Sequence, residues 1–187
     1  IVFSIFGCVS GKGDTASSTE METCLNASPS IEIGEGERDF VAFSDPPEAM
    51  MVHGPQGGWH ILGSLQFTGM EPIVEVHFQI THLDSGSLVS DNFYRLAMIE
   101  TGDCQGYYPG MYGYLSVIDL YDGDLDTPPE LLAGDALRMT FEVTDCLSSM
   151  EEAGECVPTE RTATASLEVT ALLDPIDQEM LSGDSSE

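Results

Sequence analysis

The chain has 187 residues, with 33 acidic against 5 basic side chains and a formal charge of −28. A surface this acidic repels phosphate backbones and anionic headgroups, and no basic patch interleaved with aromatics offsets it, so nucleic-acid binding is excluded. With 42% hydrophobic residues the chain can bury the core of one domain, and it contains no apolar run long enough for a membrane-spanning helix.

The first segment, Ile1-Val2-Phe3-Ser4-Ile5-Phe6-Gly7-Cys8, is apolar up to a small residue and a cysteine, and then turns polar. It reads as the end of an export signal and resembles the lipobox of bacterial lipoproteins. That resemblance implies lipidation of Cys8, attachment to a membrane through the lipid alone, and a place in the bacterial cell envelope or outside the cell. The competing reading is a first β-strand packed in the core. Residues 9–30 read as a flexible tether, 31–173 as a folded body and 174–187 as an acidic disordered tail.

The chain has five cysteines, an odd total for an exported protein, and lipidation of Cys8 accounts for one. The other four can pair in an oxidising compartment. Cys146 and Cys156 flank a polar loop and form the natural short pair, which leaves Cys24 with Cys104 by elimination. No C-x-x-C spacing is present, so a zinc ribbon or finger is not indicated.

Period-two alternation dominates the body. Val74, Val76, Phe78 and Ile80 share one face of a strand, opposite Glu75, His77, Gln79 and Thr81. The pattern returns over 137–144 and 163–169, and weaker strands are read at 40–43, 49–53, 59–67, 93–99 and 112–118. Turn chemistry separates them, for example at Ser44-Asp45-Pro46-Pro47 and Leu83-Asp84-Ser85-Gly86. About eight short strands without helices point to an all-β antiparallel β-sandwich of immunoglobulin-like type, with a jelly roll as the alternative. By analogy Trp59 is a candidate for the large residue between the sheets.

Four motifs bear on function. Gly54-Pro55-Gln56-Gly57-Gly58-Trp59-His60, preceded by Ile31-Glu32-Ile33-Gly34-Glu35-Gly36-Glu37, resembles segments of uncharacterised exported lipoproteins of myxobacteria and related bacteria. The likeness spans roughly residues 31–68 and implies export without implying a chemistry. His53 and His60 near the ends of this turn, with Met50 and Met51, form a soft donor set of the kind copper accepts. Asp119, Asp122, Asp124 and Asp126 alternate through a glycine-containing loop that could wrap calcium, although its spacing departs from the EF-hand pattern. Tyr107, Tyr108, Tyr112 and Tyr114 lie among glycines and a proline, as a contact surface for a protein or glycan or as a loop folded against the sheet edge.

No nucleophile elbow, zinc-protease helix, Walker loop or dinucleotide fingerprint occurs. The expectation is a non-enzymatic exported protein, lipid-anchored, with a binding, display or envelope-structural role. A metal-binding envelope protein is the alternative, and a carboxylate-based hydrolase ranks third.

Overall fold

The computed structural model describes residues 24, 26–54, 57–120, 128–146 and 156–178. The protein is all-β. Its strands are β1 (Ser30–Glu35), β2 (Val41–Ala42), β3 (Glu48–His53), β4 (Trp59–Thr68), β5 (Ile73–His82), β6 (Leu88–Ala97), β7 (Ile99–Gly102), β8 (Gln105–Tyr114), β9 (Ala136–Cys146) and β10 (Pro158–Leu173). They hydrogen-bond in the order β2-β1-β4-β3-β10-β9-β5-β6, with β8 on the other edge of β4 and β7 beyond it. The strand order does not establish immunoglobulin-like connectivity.

The ladder doubles over into two facing layers. One is β6-β5-β9-β10, and the other is β7-β8-β4 with β1 and β3 sharing the far edge of β4. β10 joins them because its 16 residues outrun β9. Residues Thr162–Thr170 pair antiparallel with β9, and Thr170–Leu173 pair with β3. The β3 pairing is parallel, which departs from the antiparallel arrangement expected throughout. On the opposite side the layers meet where the Tyr94 hydroxyl of β6 donates to the Tyr112 carbonyl of β8 and Ser116 N–H donates to Val89 O at 2.8 Å.

The core sits between these layers, and its centre is Phe78 stacked on Phe141, with ring centroids 4.1 Å apart. Two strand glycines let the second layer approach this pair. A Cβ on Gly63 would stand 2.6 Å from Phe141 Cζ, and one on Gly113 2.6 Å from Ile80 Cδ1. Strand-interior glycine at these two positions is a packing requirement rather than a turn requirement. Trp59 is only half-buried at the start of β4, with its ring 5.0 Å from that of His53, so the phenylalanines fill the place proposed for it.

A short helix, α1 (Pro128–Leu132), precedes β9, although no helix was expected. Its prolines occupy the first turn, where no N–H is needed, and Gly134 with φ +92° ends it. Leu132 drops fully into the core.

Both expected disulfides are formed, Cys24–Cys104 and Cys146–Cys156. Beside them lies a buried polar node. Arg161 donates to Asp145 Oδ2 at 2.5 Å and to the carbonyls of Cys24, Ala27 and Gly69 at 2.7, 2.7 and 2.5 Å. Asp145 also accepts from Glu71 N–H at 3.0 Å. Burial raises the carboxyl of Asp145 against the opposing pull of that amide and of Arg161. Glu71 is raised by burial and then by the Asp145 charge, and its buried Oε1 has no partner among the described residues. Residues 24 and 26–29, read as the end of the tether, are thus held on the body by the disulfide and the guanidinium. Residues 174–178, read as the start of the tail, are held too: Asp174 N–H donates to Met51 O, and His53 N–H donates to Asp177 Oδ2 at 2.9 Å.

Candidate functional site

β8 is the strand that builds the site. Alternation turns Met111 and Gly113 into the core and Tyr112 and Tyr114 out of it. Register with β4 sets Tyr114 opposite His60 and Tyr112 opposite Leu62, and β3 places Val52 on the other side of His60. The outer face of β3-β4-β8 therefore carries Val52, His60, Leu62, Tyr112 and Tyr114 together.

The tyrosines stay open to solvent, at 40% exposure for Tyr112 and 59% for Tyr114. Their rings lie 5.7 Å apart and within 17° of parallel. His60 lies beneath them, 6% exposed, with its ring edge-on to Tyr112 at 4.7 Å and to Tyr114 at 6.3 Å. Burial lowers the His60 imidazole below its usual value, the Asp177 carboxylate opposes that shift, and His53 adds to it. Burial also pushes the Tyr94 hydroxyl, just behind this face, up to about 12, with Tyr114 contributing next.

Tyr107 and Tyr108 are half-buried, farther along β8. The Tyr107 hydroxyl donates to Asp39 Oδ1 at 3.2 Å, and Gly110 N–H donates to Gly36 O, so the β1–β2 connection covers that end. The strand at 112–118 instead runs Gln105–Tyr114 and turns at Leu115, whose N–H donates to Trp59 O. The four tyrosines are therefore strand residues of a β7–β8 hairpin closed at Asp103-Cys104, where Cys104 has φ 56°.

The proposed copper donors fall on different surfaces. Met51 is wholly enclosed in the core, while Met50, on the opposite side of the strand, is 39% exposed. His53 is exposed and His60 buried. Among the described residues no group of three His, Cys, Asp or Glu side chains is arranged to hold a metal. Asp119 stands exposed in the turn after β8, and Asp122, Asp124 and Asp126 lie outside the described residues, as does Cys8.

A second outward-facing aromatic surface lies on β5 and β6. Phe93 of β6 is 73% exposed and stacks on His77 of β5 at 4.0 Å, while His77 Nε2 is 2.5 Å from Asp91 Oδ1. Its signal was the alternation of β6, whose polar start at Ser90-Asp91-Asn92 masked the strand's first half. No protein-family model and no curated protein matches this chain.

Proposed function

We propose that this protein is an exported binding module that engages a protein or glycan through the face formed by Tyr112, Tyr114, Leu62 and His60. The carrying observation is the exposed tyrosine pair, near-parallel rings on a disulfide-bonded sheet above the buried His60 and beside the half-buried Leu62 and Val52. Rigid aromatic rings contribute large amphipathic contact area with little side-chain entropy to lose, as interaction hot spots do. The surrounding acidic charge favours a neutral or cationic partner over an anionic one.

Export is supported by the two disulfides, which form and persist in oxidising compartments. The likeness of residues 54–60 to exported myxobacterial lipoproteins, and of Gly7-Cys8 to a lipobox, supports anchoring in the bacterial envelope through a lipid on Cys8. No described helix is long and apolar enough to cross a membrane.

The test is retention of the purified protein on washed bacterial envelopes. Replacing both tyrosines by alanine should weaken retention about thirtyfold, equivalent to about 2 kcal/mol for a hot-spot pair. Retention unchanged by the double substitution would count against the reading.

A further inference from the structure

The β5–β6 turn holds a histidine and a serine three residues apart and brings them to an aspartate about fifty residues further along the chain. His82 ends β5 and is 8% exposed. Its Nδ1 is 2.9 Å from Ser85 Oγ, and its Nε2 is 3.0 Å from Asp135 Oδ2, contributed by the segment between α1 and β9. The turn is held by main-chain bonds on both sides: His82 N–H to Ser87 O and Gly86 N–H to His82 O at 2.9 Å, and Leu83 N–H to Ala136 O at 3.0 Å.

The hydrogen-bond roles are mutually determined. An ionised Asp135 accepts only, so the imidazole proton belongs on Nε2 and leaves Nδ1 as an acceptor. The Ser85 hydroxyl then donates to Nδ1, while its oxygen accepts from Ser87 N–H at 3.1 Å. One lone pair of Ser85 Oγ remains, on a residue exposed at the tip of the turn. A nucleophile, a base and an orienting carboxylate are thus connected in sequence, with the two ring nitrogens exchanged relative to the usual serine-hydrolase arrangement.

The geometry points to Ser85 as a nucleophilic serine that attacks small uncharged carboxylic esters, with His82 as general base and Asp135 positioning it. This goes beyond the binding role and does not depend on it. In the acylation step the Ser85 Oγ–carbonyl bond forms and the ester C–O bond breaks. The Oγ proton passes to His82 Nδ1 and then to the departing alkoxide. Water attacks the acyl-serine next, giving its proton to Nδ1, and Ser85 Oγ recovers that proton as the acid leaves. Asp84 beside the nucleophile and the chain's net charge disfavour anionic esters.

Two measurements test this on the full chain. Diisopropyl fluorophosphate, which loses fluoride as the serine O–P bond forms, should leave one adduct, and peptide mapping should locate it at Ser85. Hydrolysis of p-nitrophenyl acetate should disappear in Ser85→Ala. Asp135→Asn should slow both reactions about a hundredfold at an unchanged melting midpoint, a loss in the range of general-base catalysis. Absence of the Ser85 adduct on the unmutated protein would overturn the proposal whatever the variants do. So would an Asp135→Asn variant that acylates as fast as the parent.

Discussion

Arg161 shows how much one side chain can secure. It neutralises a fully buried carboxylate and ties three carbonyls from two separate segments to the end of the sheet. Arg161→Ala would leave Asp145 buried without its counter-ion, so urea unfolding should show a loss of about 3–5 kcal/mol. Glu71 and Asp145 are both raised by burial, so the folded state favours their protonated forms. That contribution is complete below the ordinary values of 4.5 and 3.8 and is lost as pH rises through the raised ones. The lowered His60 acts oppositely, with its contribution complete above 6.5 and lost as pH falls through its folded value. Glu71→Gln fixes one neutral side chain. Its stability relative to the parent should therefore grow as pH is raised from about 4 to about 7 in paired urea titrations, and a pH-independent difference would contradict the assignment. Gly63→Ala places a methyl into the Phe141 ring edge and should cost about 1–3 kcal/mol through overpacking. None of these contacts was legible in the sequence, because Arg161, Asp145 and Glu71 meet only through the pairing of three separated elements. His82 and Ser85 share one turn, but Asp135 reaches them only through the packing of the segment between α1 and β9.

At the scale of elements, legibility followed burial. β5, β9 and the centre of β10 each bury one face, and their alternation identified them. β7 escaped because all four of its residues are exposed and no hydrophobic period can arise. β1 escaped because only Ile31 and Ile33 mark it before Gly34, which is packed against Phe40 and the Val41 carbonyl. The alternation marks only the end of the tyrosine strand, because its first half is built from glycine, proline and partly covered tyrosines. The cysteine pairing was readable from loop length and elimination. The two bridges should not contribute equally. Cys24–Cys104 spans 80 positions and Cys146–Cys156 spans 10, so loop-closure entropy assigns about 4.5 and about 2.7 kcal/mol respectively. Paired serine substitutions followed by denaturant melts should reproduce that order. The reverse order would mean that the node around Arg161 holds residues 24–29 without help from the first bridge.

The molecule as a whole combines a disulfide-bonded two-layer body with a charge of −28. Self-repulsion on that surface opposes compaction, so added salt should raise the melting temperature as screening shortens the range of repulsion to about 8–10 Å near physiological ionic strength. A melting temperature insensitive to salt would show that the charges are too far apart to matter. The same charge leaves the exposed aromatic faces as conspicuous places for contact, and the face over His60 is the one that carries the near-parallel tyrosine pair. Its claim to be the binding surface is tested most directly by tyrosine footprinting. Mild iodination in solution should modify Tyr112 and Tyr114 readily, and the presence of washed bacterial envelopes should protect both while leaving the rate at Tyr107 unchanged. Equal iodination of Tyr112 and Tyr114 with and without envelopes, under conditions where the protein is retained on them, would contradict the account.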